Sequence, residues 1–334
     1  GTHGKTTTSS ILGHILYESG VDVTAFLGGI VEGYDSNLIG TGKTVTVVEA
    51  DEFDRSFLQL SPFASIVTST DPDHLDIYGD KNHFLEGFQK YTALIHPNGC
   101  LVEKVGLNLP TKAKKITYGI ASETADFNGI NLRFDKGQFL MDVVTKSATW
   151  EAVEMNIPGI HNAENALACI ALLSFLGLSE QEIRAGLASF KGVKRRFEYH
   201  VKKNDLIYID DYAHHPTELN ALISSIRMLY PNKKIIGAFQ PHLFSRTRDF
   251  FDAFAAELNQ LDELILLPIY PARELPIEGV TSDKLLDKIS IQNKQLLDAP
   301  AAYQYLSTIQ EGVVLTIGAG DIDRIVEPLK NSLI

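Results

Sequence analysis

The chain has 334 residues, of which 44% are hydrophobic, and a formal net charge of −12 at pH 7. The length predicts about two domains, and the acidic balance argues against a nucleic-acid partner, because neutralising phosphates requires a basic surface. No run of about 18 apolar residues occurs, so the sequence predicts neither a membrane span nor a membrane partner.

The chain opens on a glycine-rich stretch followed by a lysine and threonines: Gly1, Thr2, His3, Gly4, Lys5, Thr6 and Thr7. This pattern is typical of the second half of a phosphate-binding loop, whose backbone N–H groups close on phosphate oxygens while the lysine reaches the terminal phosphates. Apolar residues at helical spacing follow, which predicts a helix that begins at the loop. Because such a loop normally follows a buried strand and an earlier glycine, we expect the natural protein to begin upstream.

Two short β-branched runs, at 45–48 and 64–68, are predicted strands, and acidic residues follow each of them. Glu49 follows the first run and can approach a Mg²⁺ that the Thr6 hydroxyl holds; a solvated acidic turn is the alternative. His74 follows the second run and is a further candidate ligand, although Mg²⁺ prefers oxygen and a lone histidine is more often structural. Together with the loop, these residues predict a nucleoside triphosphate and magnesium site.

The middle of the chain changes from helical to strand-like patterning. Residues 81–95 have helical spacing. The stretch 100–156 contains short alternating segments between Gly, Asn and Lys turns, which favours antiparallel hairpins. Helical patterns resume at 162–177 and 178–188. The sequence therefore predicts an α/β domain with a small antiparallel β insertion.

These last two helices begin with different polar signals. Ser179 and Glu182 form a capping-box pattern at the second helix. His161, Asn162 and Asn165 open the first helix. Asn162 suits an N-cap, and contact of His161 or Asn165 with an adenine base is the alternative interpretation.

A shift in composition at 191–196 predicts a domain boundary, with domains at 1–194 and 195–334. Arg195 and Arg196 lie at this boundary. They are either exposed linker charges or side chains that reach a transferred phosphate, because guanidinium groups match phosphate geometry.

Beyond the boundary, apolar runs alternate with helical patterns, which predicts a mostly parallel sheet with right-handed crossovers. The runs are at 206–209, 235–239, 264–267 and 313–317, and the helices at 217–229, 249–260, 281–290 and 300–310. Polar clusters follow the runs, where open α/β sheets bind ligands; they include Asp211, His214, His215, His242, Arg246 and Arg248. Two charged sheet edges suggest a site in a cleft between the domains.

The two cysteines, Cys100 and Cys169, stand alone in apolar surroundings. They are predicted to be small buried residues, and neither a disulfide nor a metal site is expected. This usage is typical of a reducing compartment. No secretory leader is visible, although a truncated start would hide one, and we expect the protein to be cytoplasmic.

In this order, the motifs resemble the Mur ligases, the ATP-dependent amide-forming enzymes of peptidoglycan precursor synthesis. The resemblance covers essentially the whole chain and rests on residues 1–8, 49–58, 73–76, 158–166, 195–198, 210–218, 240–248 and 318–321. It implies a P-loop central ATPase domain followed by a Rossmann-like α/β domain that brings the amino-acid site and closes on ATP.

The wording of 211–218 and 239–248 is most similar to the family member that joins L-alanine to UDP-N-acetylmuramate. In that reaction ATP phosphorylates the lactyl carboxylate, the amine of L-alanine attacks the acyl phosphate, and phosphate leaves. A family member that recycles murein tripeptide shares the His-His-Pro-Thr motif. It usually differs at the following Gln-Pro-His segment and is the near alternative.

The resemblance also implies roles for individual residues. Lys5 contacts the β- and γ-phosphates, Thr6 and Glu49 hold one Mg²⁺, and His74 helps to place a second. Arg196 helps to close the site. The amino acid or the acyl phosphate is addressed by His242 and Arg246. The residues implied to bind the nucleotide are those of the opening loop, Gly1 to Thr7, together with His161, Asn165 and Asp211.

Two departures from the family pattern qualify these roles. Family members carry an N-terminal domain that binds the UDP sugar, and we expect this chain to be a fragment that lacks it. Leu243 stands where some members have a basic residue beside the histidine. A carbamylated lysine serves several relatives, and Lys90 is only a weak counterpart.

Two further functions remain as alternatives. One is a nucleotide-binding module that does not ligate, because its upstream domain is missing. The other is a small-molecule kinase, which would leave the second polar cluster without a role.

Overall fold

The computed structural model describes residues 1–72, 75–135 and 138–334. These residues divide into two compact units, Gly1–Lys194 and Arg195–Ile334. Among the helices of the described ranges, none combines the length and the apolarity that crossing a membrane requires.

The N-terminal unit mixes helices with short strands. In chain order its elements are α1 (Lys5–Glu18), β1 (Val23–Val31), β2 (Ser36–Ile39), β3 (Val45–Val48), a 3₁₀ segment (Phe53–Gln59), β4 (Ala64–Val67), α2 (Leu75–Tyr78), α3 (Lys81–Ala93), β5 (Cys100–Lys104), β6 (Lys114–Ile120), β7 (Phe127–Asp135), β8 (Gln138–Thr145), β9 (Thr149–Met155), α4 (Ile160–Leu176) and α5 (Glu180–Ser189). The predicted strands at 45–48 and 64–68 and the capping box of Ser179 and Glu182 are confirmed. Strands β1 and β2 were not predicted.

Two sheets organise this unit. The smaller one has the order β2-β1-β3, with β1 antiparallel to β2 and parallel to β3. The larger one has the order β4-β5-β6-β7-β8-β9 and is parallel from β4 to β7. Helix α4 is apolar nearly all round and buried, as expected of a helix that packs on several neighbours; it contacts α1, α5 and the larger sheet.

The antiparallel region is smaller than the predicted 100–156. Among the described strands of this stretch, β7, β8 and β9 pair in antiparallel fashion, whereas β5 pairs in parallel with β4 and with β6. A short connection normally forces antiparallel pairing, so the prediction treated the segment as hairpins. The six residues between β6 and β7 instead join a parallel pair whose register covers only Tyr118 to Ile120.

An aromatic cluster fills the core beside the 3₁₀ segment. Phe57 stacks on Tyr91 with ring centroids 4.8 Å apart, and Tyr78 meets Phe84 edge-on at 4.8 Å. Each ring is nearly excluded from water, and fully burying such a side chain contributes about 1.5–3 kcal/mol. The cluster therefore fixes the polar turn that precedes Phe57.

The C-terminal unit is an open sheet with helices. Its elements are β10 (Glu198–Lys202), β11 (Leu206–Asp211), α6 (Pro216–Leu229), β12 (Ile235–Phe239), α7 (Phe244–Asp249), α8 (Phe251–Leu258), β13 (Glu263–Leu266), α9 (Ser282–Lys288), β14 (Lys294–Leu296), α10 (Ala299–Leu306), β15 (Gly312–Ile317), a 3₁₀ segment (Asp321–Ile325) and α11 (Val326–Leu333).

The strand order is β10-β11-β15-β12-β13-β14, and every pair is parallel except β10 with β11. The predicted parallel sheet is confirmed, since its four central strands are the four apolar runs. The helix predicted at 249–260 corresponds to α8, and the shorter α7, which was not predicted, precedes it across a break at Phe250 with a φ of −117°. The edge strands β10 and β14 escaped prediction because they are short and only partly apolar.

Candidate active site

The opening loop is held by the residues that follow β4. Thr2 N donates to Ser69 O at 3.3 Å, and His3 N donates to Ser69 Oγ at 3.0 Å. The Thr2 hydroxyl donates to Asp71 O at 2.7 Å. These bonds fix the loop at the carboxyl end of a parallel strand, directly before the N-terminus of α1, where backbone N–H groups favour anions.

Gly4 is the residue at which the loop turns into α1. Its φ is +78°, a left-handed conformation that glycine adopts without a steric cost. A Cβ at this position would lie 2.4 Å from Asn165 Oδ1, so Asn165 packs directly against the loop. His161 lies one turn earlier on the same face of α4 and is half-buried.

Lys5 makes an ion pair at the first position of α1. Its Nζ lies 2.7 Å from Glu52 Oε1 and 3.8 Å from Asp51 Oδ1, and it donates to Thr2 O at 3.3 Å. The Glu52 side chain is 1% exposed, whereas that of Asp51 is 53% exposed. The buried carboxylate is therefore the principal partner of the loop lysine.

Thr6 and Glu49 place two oxygen atoms side by side. The Thr6 hydroxyl donates to Glu49 Oε1 at 2.9 Å. The other carboxylate oxygen, Oε2, accepts from Gly28 N at 2.7 Å. A Cβ at Gly28 would lie 2.5 Å from Glu49 Oε2, so the glycine in β1 makes room for the carboxylate. A hydroxyl and a carboxylate are the hard ligands that Mg²⁺ prefers.

Arg195 opens the C-terminal unit and is anchored at several points. Its guanidinium pairs with buried Asp210 at 3.0 Å and donates to Gly318 O at 2.6 Å, while its backbone N–H donates to Glu198 at 2.6 Å. Burial raises the pKa of Asp210, and the positive charge of Arg195 acts against that rise. Arg195 is thus not an exposed linker charge.

Five side chains form a continuous row, here called the basic row: Arg196, Tyr212, His214, His242 and Arg246. The Arg196 guanidinium lies 4.8 Å from the Tyr212 ring centroid, and Tyr212 meets His214 edge-on at 5.3 Å. His214 and His242 have centroids 6.2 Å apart, and Arg246 Nη1 lies 3.4 Å from His242 Nδ1.

The two histidines of the basic row are held in the neutral form. Burial, together with nearby His214 and Arg246, lowers the pKa of His242 to about 4. Burial also lowers the pKa of His214. Arg246 is itself buried. The row therefore offers fixed guanidinium cations next to neutral imidazole nitrogens.

Asp211 supports the start of the basic row. Its Oδ2 accepts from Phe197 N and its Oδ1 from Ala213 N, both at 2.8 Å. Burial raises its pKa to about 6, against the opposing charge of Arg196. The carboxylate thus holds the backbone on both sides of Arg196 and Tyr212.

The chain is similar in sequence and structure to known proteins over nearly all of its length. The family model described as "Mur ligase middle domain" matches residues 1–173, and "Mur ligase, glutamate ligase domain" matches 195–320. A UDP-N-acetylmuramate–L-alanine ligase of Flavobacterium psychrophilum is 53% identical over 333 residues, which are 100% of this chain and 73% of the relative. The chain belongs to the Mur ligase family.

Two solved Mur ligases have the same fold. A UDP-N-acetylmuramate–alanine ligase of Thermotoga maritima aligns with a TM-score of 0.83 and 27% identity, over 99% of this chain and 74% of the other. A murein peptide ligase of Psychrobacter arcticus aligns with a TM-score of 0.67 and 22% identity, over 99% and 76%. At 22% identity, the similarity to the murein peptide ligase concerns the fold alone.

Several sequence-predicted residues of this Mur ligase lie together. Within the N-terminal unit, Lys5, Thr6, Glu49 and Asn165 all lie at the opening loop. Within the C-terminal unit, the basic row connects the predicted Arg196, His242 and Arg246. The predicted metal ligand His74 lies outside the described residues.

Other predicted residues have structural roles. Asn162 is not an N-cap: Gly159 occupies that position, and the buried Asn162 amide donates to Pro158 O at 2.7 Å. His215 caps α6 by accepting from Thr217 N. Arg248 is exposed and pairs with its neighbour Asp249 at 2.7 Å.

In the acidic turn the sequence analysis singled out Glu49, and it assigned no role to Glu52, Tyr212 or Gly28. The signal for Glu52 was present, since an acidic residue followed by apolar positions suits a buried counterion. Nothing local distinguishes Tyr212 or Gly28, because their importance depends on strands that are distant in sequence.

Proposed function

We propose that this chain carries out the ATP- and Mg²⁺-dependent joining of L-alanine to the lactyl carboxylate of UDP-N-acetylmuramate. The observation that carries the proposal is the loop geometry, in which Lys5 and Thr6 both pair with carboxylates at the start of α1. The substrate assignment is supported by relatives of that name at 45–53% identity over at least 98% of the chain.

The first step is phosphoryl transfer to the carboxylate. An oxygen of the lactyl carboxylate bonds to the γ-phosphorus, the β–γ bridging bond breaks, and ADP leaves with the electron pair. Negative charge must be neutralised while this happens. The Lys5 ammonium and the N–H groups before α1 would supply this positive charge.

The residues present fit a Mg²⁺ ion. Thr6 Oγ1 and Glu49 Oε1 are 2.9 Å apart, and the N–H of Gly28 fixes the second carboxylate oxygen. Thr6 and Glu49 would hold the ion, with His74 as the family-implied further ligand. When bound, Mg²⁺ supplies charge neutralisation at the β- and γ-phosphates.

The second step is attack by the amino acid. The amine nitrogen bonds to the acyl carbon, the carbon–oxygen bond to phosphate breaks, and phosphate leaves with the electron pair and takes up the proton that the amine loses. A neutral imidazole accepts a hydrogen bond from an ammonium or amine, and a guanidinium matches a carboxylate or phosphate. His242 and Arg246 therefore suit both ends of an amino acid.

The test is release of inorganic phosphate by the chain with its natural upstream region restored, compared with the chain alone. We expect phosphate release that requires MgATP, UDP-N-acetylmuramate and L-alanine together. Release that requires murein tripeptide instead would assign the recycling reaction. ATP binding without release would indicate a binding module, and a stable phosphorylated product without amide would indicate a kinase.

A further inference from the structure

We propose that Glu52 is a positioning residue, which aims the ammonium of Lys5 at the transferring phosphate. The inference rests on the proposed function and assigns a residue that acts through Lys5 without touching the substrate. It follows from how the lysine is bonded, how deeply the carboxylate is buried, and how the turn around it is braced.

The bonding of Lys5 leaves one direction open. A lysine ammonium has three N–H donors. One is directed to Glu52 Oε1 at 2.7 Å and a second to Thr2 O at 3.3 Å. With these two bonds fixed, the remaining N–H has a defined direction. The loop therefore presents a lysine whose free donor is already oriented.

Glu52 is buried where it contacts Lys5. Its side chain is 1% exposed, and its Oε2 atom has no hydrogen-bond partner among the described residues. A buried carboxylate is costly unless it is paired. Lys5 is the cation at ion-pair distance within the described part of the chain. Retaining such a group at the loop is explained by its effect on Lys5.

The turn that carries Glu52 is rigidly held. The buried Tyr78 hydroxyl donates to Glu52 O at 2.7 Å, and Tyr78 packs in the aromatic cluster. Asp54 and Arg55, which follow, have φ values of 51° and 57°. Two consecutive non-glycine residues in the left-handed region are uncommon and persist only where their surroundings enforce them. The Arg55 guanidinium lies 5.2 Å from the Tyr78 ring centroid and completes the brace.

Comparison with Asp51 distinguishes the effect of the position of Glu52 from the effect of its negative charge. It is as negative as Glu52 and lies 3.8 Å from the same ammonium, but it is half-exposed. If the lysine needed only a nearby negative charge, the two carboxylates would be interchangeable. If Glu52 sets direction, only its removal frees Lys5.

The first experiment needs no turnover. Glu52→Gln, Asp51→Asn and wild-type protein are acylated with dilute acetic anhydride without nucleotide, and the rate at Lys5 is measured by mass spectrometry. We expect the rate in Glu52→Gln to rise about fivefold or more, because a side chain released from a buried ion pair becomes accessible. Asp51→Asn should stay within about twofold, as exposed pairs contribute little.

The second experiment uses the protein with its upstream region restored. Glu52→Gln should lower kcat about 10- to 100-fold while KM for ATP changes less than about threefold, the signature of an interaction needed in the transition state. In a Lys5→Ala background, Glu52→Gln should have no further effect on kcat, since residues that act as one unit are not additive.

Controls separate positioning from a folding defect. Glu103→Gln breaks another buried Glu–Lys pair, with Lys115 at 3.0 Å, and should lower the melting temperature without changing Lys5 acylation. Glu52→Asp keeps the charge and serves if Glu52→Gln fails to fold. Equal effects of Asp51→Asn and Glu52→Gln, or unchanged Lys5 acylation in folded Glu52→Gln, would overturn the inference. If the wild-type protein shows no alanine-dependent phosphate release, the proposed function is wrong. The acylation rate of Lys5 would still test the role of Glu52.

Discussion

The polar edges of the two units differ in the charge of their side chains. At the loop of the N-terminal unit, two of the predicted phosphate and metal residues are paired with carboxylates, Lys5 with Glu52 and Thr6 with Glu49. In the C-terminal unit, the basic row contains two guanidinium groups and two imidazoles that burial holds neutral. Its supporting carboxylate, Asp211, is occupied by backbone N–H groups.

The difference indicates what each unit is prepared to bind. Carboxylates beside a phosphate-binding loop can pair with its lysine and can offer oxygen ligands to a divalent ion. A row of guanidinium cations and neutral imidazoles offers hydrogen-bond donors and acceptors beside positive charge, so it is suited to an anionic or zwitterionic substrate. Variants in the two units should therefore fail in kinetically different ways.

The largest effect is expected from Lys5→Ala. Removing the cation that we propose contacts the transferring phosphate should lower kcat about 10³-fold, because such contacts act chiefly in the transition state. Steady-state phosphate release measures it. The matched control is Lys90→Ala, an exposed helix lysine paired with Glu86 at 3.6 Å. Activity loss in Lys90→Ala would support the weak prediction that Lys90 is carbamylated, and the loss in Lys5→Ala would then no longer be specific to the loop.

Arg246→Ala should distinguish the C-terminal unit. We expect kcat/KM for L-alanine to fall about 100-fold while KM for ATP stays within about threefold, since the variant loses the buried guanidinium that we propose binds a substrate anion. Arg248→Ala removes an exposed arginine two residues away and should leave both values within about twofold. If Arg246→Ala instead raises KM for ATP alone, the basic row binds the nucleotide, and the proposed difference between the two units in what they bind is wrong.

Residues that act through local patterns could be predicted from the sequence. The loop at 1–7 and the capping box of Ser179 and Glu182 have fixed spacing, and the buried parallel strands are continuous apolar runs. Contacts that depend on distant strands could not be predicted. Gly28 meets Glu49 only because β1 and β3 pair in parallel, and no local signal specifies that register.

The parallel arrangement of β5, β6 and β7 shows the same limit. The turn residues between these strands are typical of hairpins, and only the pairing partner decides the direction. Likewise, Asn162 has the right residue type for an N-cap, but the backbone starts the helix at Gly159. Residue-type patterns therefore identified the segments that contain the site, whereas the contacts between individual side chains depend on tertiary packing.

Glu49→Gln sharpens the N-terminal half of the comparison. Replacing one carboxylate oxygen by an amide nitrogen weakens a hard-cation site, so the Mg²⁺ concentration for half-maximal phosphate release should rise about tenfold. A Mg²⁺ titration at saturating ATP measures it, with Asp22→Asn as control, because that exposed carboxylate accepts hydrogen bonds from Lys43 and Thr44, away from Glu49. An unchanged Mg²⁺ requirement in Glu49→Gln would remove Glu49 from the metal site.

The smallest expected effect concerns acid stability of the C-terminal unit. The pKa of His242 is lowered to about 4, so between about pH 6.5 and 4 the unfolded chain binds a proton that the folded protein excludes. Stability from this group is complete above pH 6.5 and is lost as the pH falls through that window. Asp211, with its pKa raised to about 6, binds its proton in the folded state first and partly offsets the loss.

His242→Gln should therefore reduce the fall in the urea midpoint between pH 7 and pH 5, as measured by circular dichroism. His96→Gln, at an exposed histidine of the other unit, should follow the wild-type profile. The single tryptophan, Trp150, lies in the N-terminal unit, and its emission should change equally in wild type and His242→Gln. Parallel pH profiles for all three proteins would mean that His242 is not held neutral by burial, and the basic row would then be more strongly cationic than its structure indicates.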